Sequence, residues 1–353
     1  MAGGSFGGGS GTSGDPYLVE DAADLNAVRN HRTSHFRQTR YIDLTSYADW
    51  LPIGDYDNRF KGSYNGAGFV IEKLKITNNP TPNNIGLFGY VEFASITMVT
   101  LTDVDIQHDP LGNYDNAGHV GALVGNAAAS TISKCSTAGV ILNIGSRTGG
   151  LIGVSMQSCV IAECFSLCRV TGRRSIGGIV GEAYNTSISN CYSTGDISGL
   201  IRVAGIAGYL SPATIDKCYS AGGITVTSEI AGGIAGDFAT SLTKFIKNSF
   251  ALNKKIKSSS LNTEIGRIYS GISGTGTTAI ENNKALKGMI YDSPDGEAEI
   301  FPNFNPVSGG KDGTDLDATT AKTATPYSGT GWDFVNIWRI SPFRNSGYPY
   351  LAW

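Results

Sequence analysis

The chain has 353 residues, a net charge of −3 and 47 glycines. That glycine share is about twice the usual ~7%, and the 16% of charged residues falls well below the usual ~25%. The 41% hydrophobic content excludes a chain disordered by composition, and low charge with high glycine points to a sheet-rich fold with many tight turns. No basic stripe interleaved with aromatics is present, so no nucleic-acid partner is expected. No apolar run approaches the ~20 residues of a membrane helix, so no membrane insertion is expected either.

In chain order, the first segment is the arm MAGGSFGGGSGTSGD. It lacks the basic and apolar parts of a secretory leader. Residues 1–14 read as a Gly-rich arm that anchors the chain to other subunits of a larger assembly. Residues 15–84 read as an N-terminal cap and first coils. Within them, residues 20–30 carry an amphipathic helix capped by Asp21, with Ala23, Leu25 and Val28 as apolar contacts. The basic stretch 29–40 reads as a solvated face.

From residue 85 the sequence repeats. IGLFG (85–89), VGALVG (120–125), GGLIG (149–153), GGIVG (177–181), AGIAG (204–208) and GGIAG (232–236) align. Their shared glycine falls at 86, 121, 150, 178, 205 and 233, and a weaker seventh copy begins at Ile265. About ten residues after each comes a second element: ISKCS (132–136), IAECFS (161–166), ISNCYS (188–193), IDKCYS (215–220) and a degraded IKNSFA (246–251). Three short apolar pieces per ~28 residues are too short for helices. A repeat that buries its apolar side chains only by stacking is a solenoid coil. The expectation is an all-β, right-handed parallel β-helix of about seven coils over residues 85–289, with caps at both ends.

The Gly-Gly-Φ-Φ-Gly core followed by I-x-N-C-Y-S-x-G resembles the GLUG-motif repeat family, across roughly residues 15–353. The resemblance implies a β-solenoid of the kind found in bacterial surface proteins, adhesins, IgA-protease-like chains and some phage structural proteins. It implies no reaction.

Four of the six cysteines, Cys135, Cys164, Cys191 and Cys218, share one repeat position, with Ser249 next in line. They are expected to form an inward column of free thiols, because stacked side chains point in parallel and suit disulfides poorly. Residues 290–330 break the period and read as an irregular excursion. In 331–353, the aromatics Trp332, Phe334, Trp338, Tyr348, Tyr350 and Trp353 are expected to cap the last rung.

No catalytic residue is assigned. The candidate binding residues are Asp103 and Asp105, which alternation places on one strand face, together with Tyr184 and Tyr209. Asp55, Asp57 and Asn58, or Asp312, Asp315 and Asp317, could hold Ca²⁺, although neither completes a known loop; no other cofactor is expected. The composite expectation is a non-enzymatic structural or attachment protein on a virion surface or outside the cell. It favours a phage virion component that meets a host glycan or protein. A secreted bacterial adhesin and a carbohydrate-cleaving β-helix are the alternatives.

Overall fold

The computed structural model describes residues 6–77, 84–109, 118–239, 244–260, 263–271, 278–294, 299–301 and 310–353. The chain winds as a parallel β-solenoid with three faces. The first face holds Ser95–Thr97, Thr131–Ser133, Cys159–Ala162, Val180–Ser189 and Ala207–Asp216; the second includes Thr100–His108 and Ser136–Asn143. The third is a seven-stranded sheet that runs from Asn84–Ile85 to Glu264–Gly266, one strand for each aligned copy of the repeat.

Register follows the repeat because a slip of one residue would turn the apolar set outward. On the first face Ile96, Ile132, Ile161, Ile188, Ile215, Ile246 and Ile280 are successive ladder partners. On the second, Ile141, Val170, Ile197, Ile224 and Ile256 pair in the same way. These side chains are all buried and form one continuous core with the third face.

The repeated glycine has a steric cause. A Cβ on Gly150 would lie 2.2 Å from the Gly178 carbonyl oxygen, one on Gly178 2.2 Å from that of Gly205, and one on Gly205 2.3 Å from that of Gly233. Each glycine thus lets the next rung's backbone approach. The hydroxyl two residues after the cysteine occupies the same notch: Thr137 donates to the Gly150 oxygen at 2.8 Å, and Ser220 donates to that of Gly233.

The first corner also repeats. Lys134, Glu163, Asn190, Lys217, Asn248 and Asn282 all have φ of 51–54°, and each directly precedes a member of the column Cys135, Cys164, Cys191, Cys218, Ser249 and Asn283. A left-handed residue costs on the order of 1 kcal/mol or more and takes the following amide out of the strand ladder. The column supplies the missing partner. The Cys164 amide donates to the Cys191 thiol at 3.4 Å, the Cys191 amide to the Cys218 thiol at 3.4 Å, the Cys218 amide to Ser249 Oγ at 3.2 Å, and the Ser249 amide to Asn283 Oδ1 at 2.9 Å. Each thiol in turn donates to the carbonyl two residues before it, as Cys191 does to Ser189 at 3.2 Å. All six cysteines are free and buried, and burial pushes the thiols of Cys164 and Cys218 up. The thiols therefore do more than fill space: they pair backbone amides. Cys191→Ser, which copies Ser249, should cost under about 1.5 kcal/mol. Cys191→Ala, which strands the Cys164 amide, should cost about 2–3 kcal/mol in a urea titration. Denatured protein without reductant should show nearly six titratable thiols.

From Phe6 onward the Gly-rich arm packs against its own chain. The Gly7 amide donates to the Leu18 oxygen and the Leu18 amide to that of Gly8, both at 2.9 Å, while Phe6 stacks on Tyr17 at 4.5 Å. Residues 1–5 lie outside the described residues. The helix spans Ala22–Ala27 with Asp21 as its N-cap; Leu25 and Val28 are buried as expected, but Ala23 is exposed and Ala27 takes the core position. The excursion after 290 rejoins the solenoid, because Thr314–Leu316 pairs in parallel with Lys284–Leu286.

The largest correction concerns the aromatic tail. It does not cover the last rung. It lies along the side, over an outward ladder formed by the residue after each cysteine. Phe165 and Tyr192 stack at 4.8 Å and 4°, Tyr192 and Tyr219 at 5.0 Å and 5°, and Phe250 follows in register. Trp332, Trp338 and Tyr348 pack on this ladder in a second apolar cluster. Three indole N–H groups are fixed at three of these corners. Trp332 donates to the Asn248 oxygen at 2.8 Å, Trp338 to Asn190 Oδ1 at 3.2 Å, and Trp353 to the Glu163 oxygen at 3.0 Å. The tail thus runs back toward the N-terminal end of the solenoid.

Candidate functional site

The candidate site is a polar and aromatic strip where the third face meets the first. Tyr90, Asn126, Val154, Glu182, Tyr209 and Asp237 are successive ladder partners on the first face. Opposite them Arg147, Ser175 and Arg202 have φ of 57–60°, which lifts them out of the alternation of the third face. Arg147 Nε lies 2.8 Å from Glu182 Oε2, and Arg202 Nε lies 2.8 Å from Asp237 Oδ2. The close approach uses the last glycine of the repeat: a Cβ on Gly181 would lie 2.6 Å from the Thr148 nitrogen.

The two candidate tyrosines meet here. Their ring centroids are 6.0 Å apart, the Arg202 guanidinium sits 4.6 Å over the Tyr209 ring, and Tyr184 donates to Glu182 Oε2 at 2.6 Å. Burial alone would raise the Glu182 carboxyl, but the Tyr184 hydroxyl and the Arg147 charge outweigh it and hold it below the usual range. Burial and the Glu182 charge push the Tyr184 phenol up. Both rings are half-buried. The strip therefore presents fixed aromatic edges beside fixed charges.

Farther along, His119 Nδ1 lies 3.2 Å from both Asn84 Oδ1 and Asn126 Nδ2. Burial, with Arg147's charge, pushes its pKa from 6.5 down to about 4. The stabilisation from neutral His119 is fully present above about pH 6.5 and is lost as pH falls toward 4, because the unfolded chain takes up the proton first. The loss is about 3 kcal/mol at full depth. Chemical denaturation at pH 7.5 and 4.5 should show this slope in the natural chain and a flatter one in His119→Asn.

The other candidates are placed differently. Val104 and Ile106 face inward as expected, but Asp103 has φ of 53° at a ladder irregularity between Leu101 and Val104, so strand alternation does not pair it with Asp105. Asp105 accepts from Gln107 at 3.1 Å. Asp312 is buried and accepts the Arg267 amide at 3.0 Å, while Asp315 pairs with the Arg267 guanidinium at 2.7 Å and Asp317 is exposed. Asp55 closes a turn, accepting the amides of Asp57 at 2.9 Å and Asn58 at 2.7 Å. Among the described residues no three acidic, histidine or cysteine side chains gather as a metal-ligating group. The charged half of the strip was absent from the sequence expectations. Its signal was there: an Arg two or three residues before the glycine pair, and Glu or Asp directly after the repeat's last glycine, at Arg147, Arg202, Glu182 and Asp237.

Residues 172–198 match the family described as the GLUG motif. The chain carries the GLUG motif. Those residues contain the third-face strand Arg174–Gly177, the first-face strand Val180–Ser189 and the Cys191 corner. The two relatives described next are much longer than this chain. The chain is 41% identical over 131 residues to a protein of Evansella cellulosilytica named as a Gly-rich membrane protein, covering 34% of this chain and 14% of the other. It is 30% identical over 169 residues to halomucin of Haloquadratum walsbyi, covering 44% of this chain and 2% of that one. The chain thus spans a small fraction of either relative. A crystal structure from Bacteroides ovatus assigned as an immunoglobulin A1 protease superposes with a TM-score of 0.67 at 19% identity, covering 99% of this chain and 95% of that one. This likeness shows the fold. No helix among the described residues is long and apolar enough to cross a membrane.

Proposed function

We propose that this GLUG solenoid is a non-catalytic display and attachment element of a larger cell-surface protein, with the Tyr184–Tyr209 strip as its contact surface. The observation that carries this is the parallel stacking of the three faces among the described residues, with the ion pairs Arg147–Glu182 and Arg202–Asp237 fixed along the strip. Such a body holds a surface in one shape at little entropic cost. Relatives named for a membrane protein and a halomucin, both far longer than this chain, favour a cell-surface setting over the virion component expected from the sequence. Incubation with bacterial and host surface polysaccharides should release neither reducing ends nor unsaturated ends. Release of either overturns the display reading in favour of a carbohydrate-cleaving β-helix. Retention on polysaccharide-coated beads that falls in Tyr209→Ala would identify the strip as the contact.

A further inference from the structure

A second concave surface lies near the first coils, four ladder steps along the first face from Tyr209. It is a pocket of about 540 Å³ whose walls include Arg29, Arg32, Leu51, Tyr56, Asp57 and Asn84. The repeat does not require it: residues 54–59 leave the coil and return. Both ends of that loop are tied down. Ile53 and Phe60 are fully buried, the Ile53 amide donates to the Leu87 oxygen at 3.0 Å, and the Phe60 amide donates to that of Tyr90 at 2.9 Å. Between these anchors Tyr56 stands 68% exposed, with the Arg59 guanidinium 5.1 Å over its ring. Leu51 beside it is 49% exposed.

The polar walls are fixed in advance. Arg29 donates to the Leu51 oxygen at 2.7 Å and sits over the Trp50 ring at 5.4 Å; Arg32 donates to the Arg29 oxygen at 2.6 Å and to Asn58 Oδ1 at 3.2 Å. The Asp57 carboxylate and one end of the Asn84 amide, whose other end lies 3.2 Å from His119 Nδ1, have no hydrogen-bond partner among the described residues. The pocket therefore offers an unpaired carboxylate, an unpaired amide group and an exposed ring. Its two arginines are balanced by Asp55 and Asp57, so it favours neither an anion nor a cation. A ligand that suits it needs hydroxyls that both donate and accept, and an apolar face that lies on a tyrosine.

We propose that this pocket binds a neutral saccharide, with Tyr56 as the stacking platform and Asp57 and Asn84 as the hydroxyl partners. The site is independent of the Tyr184–Tyr209 strip. The test uses the full chain on an array of neutral and anionic oligosaccharides, followed by titration of the best neutral oligosaccharide. Tyr56→Ala and Asp57→Asn, both at exposed positions, should each weaken that binding at least about tenfold, the equivalent of about 1.4 kcal/mol, with unchanged thermal unfolding. Tyr209→Ala should leave it intact. Retention of anionic sugars alone, retention of none, or neutral binding that survives Tyr56→Ala overturns the proposal. Neutral binding lost only in Tyr209→Ala overturns it too, while leaving the attachment reading in place.

Discussion

Gly178→Ala should cost the solenoid about 3 kcal/mol, at the upper end of the overpacking range. The added methyl would sit 2.2 Å from the Gly205 oxygen and 2.2 Å from Ser193 Oγ. One obstacle is main chain held in the next rung, so a side-chain rotation cannot relieve both. The rung spacing would have to open locally, and the ladder above and below would lose hydrogen bonds with it. Gly14→Ala is the matched control, since nothing lies within 4 Å of its new Cβ. There the smaller entropy of the unfolded chain should leave stability unchanged or raise it by a few tenths of a kcal/mol. Urea titrations of both variants read the difference directly. Equal midpoints would show that the glycine column is not a close-approach device.

Trp338→Ala should cost about 3–5 kcal/mol, the range for a buried tryptophan. Trp338 is fully buried, contacts Tyr192 and Tyr219 at 6.1 Å each and Trp332 at 4.4 Å, and spends its N–H on Asn190. Its removal leaves a void over the aromatic ladder and an unanchored tail. The near-UV circular dichroism of the ladder should collapse while the far-UV signal of the coils persists. A tail that merely covered the last rung would instead lose the strands around Lys284–Leu286 first, which hydrogen exchange would show.

The solenoid was legible because its cause is repetition. An isoleucine, a glycine and a cysteine recurring at fixed spacing can bury themselves only by stacking, and each column in the structure is a column of the alignment. The aromatic tail was legible as a cap in composition but not in place. The residue after each cysteine, Phe165, Tyr192 or Tyr219, reads as one more apolar position. Only the left-handed residue before the cysteine resets the alternation and turns that ring outward; Asn190 and Asn248 suit a positive φ, but Lys134, Glu163 and Lys217 give no such signal. The same limit hid the charged strip. Arg147 and Glu182 are 35 residues apart, more than one coil, so local patterning cannot pair them. Asp103 failed for the same reason in reverse: alternation was assumed through a residue that breaks it.

The corner column has a bearing on how such chains change length. The corner amides of Cys164, Cys191, Cys218 and Ser249 are each completed by a side chain of the following coil, and Cys, Ser and Asn all serve there. None of these coils is chemically whole by itself, yet the junctions between them are of one kind. A whole coil can then be copied or excised without leaving a mismatched seam, whereas a partial insertion strands an amide at once. Gene-level duplication in units of one period is the natural way for this architecture to become longer or shorter, and the length of the solenoid becomes a matter of counting coils.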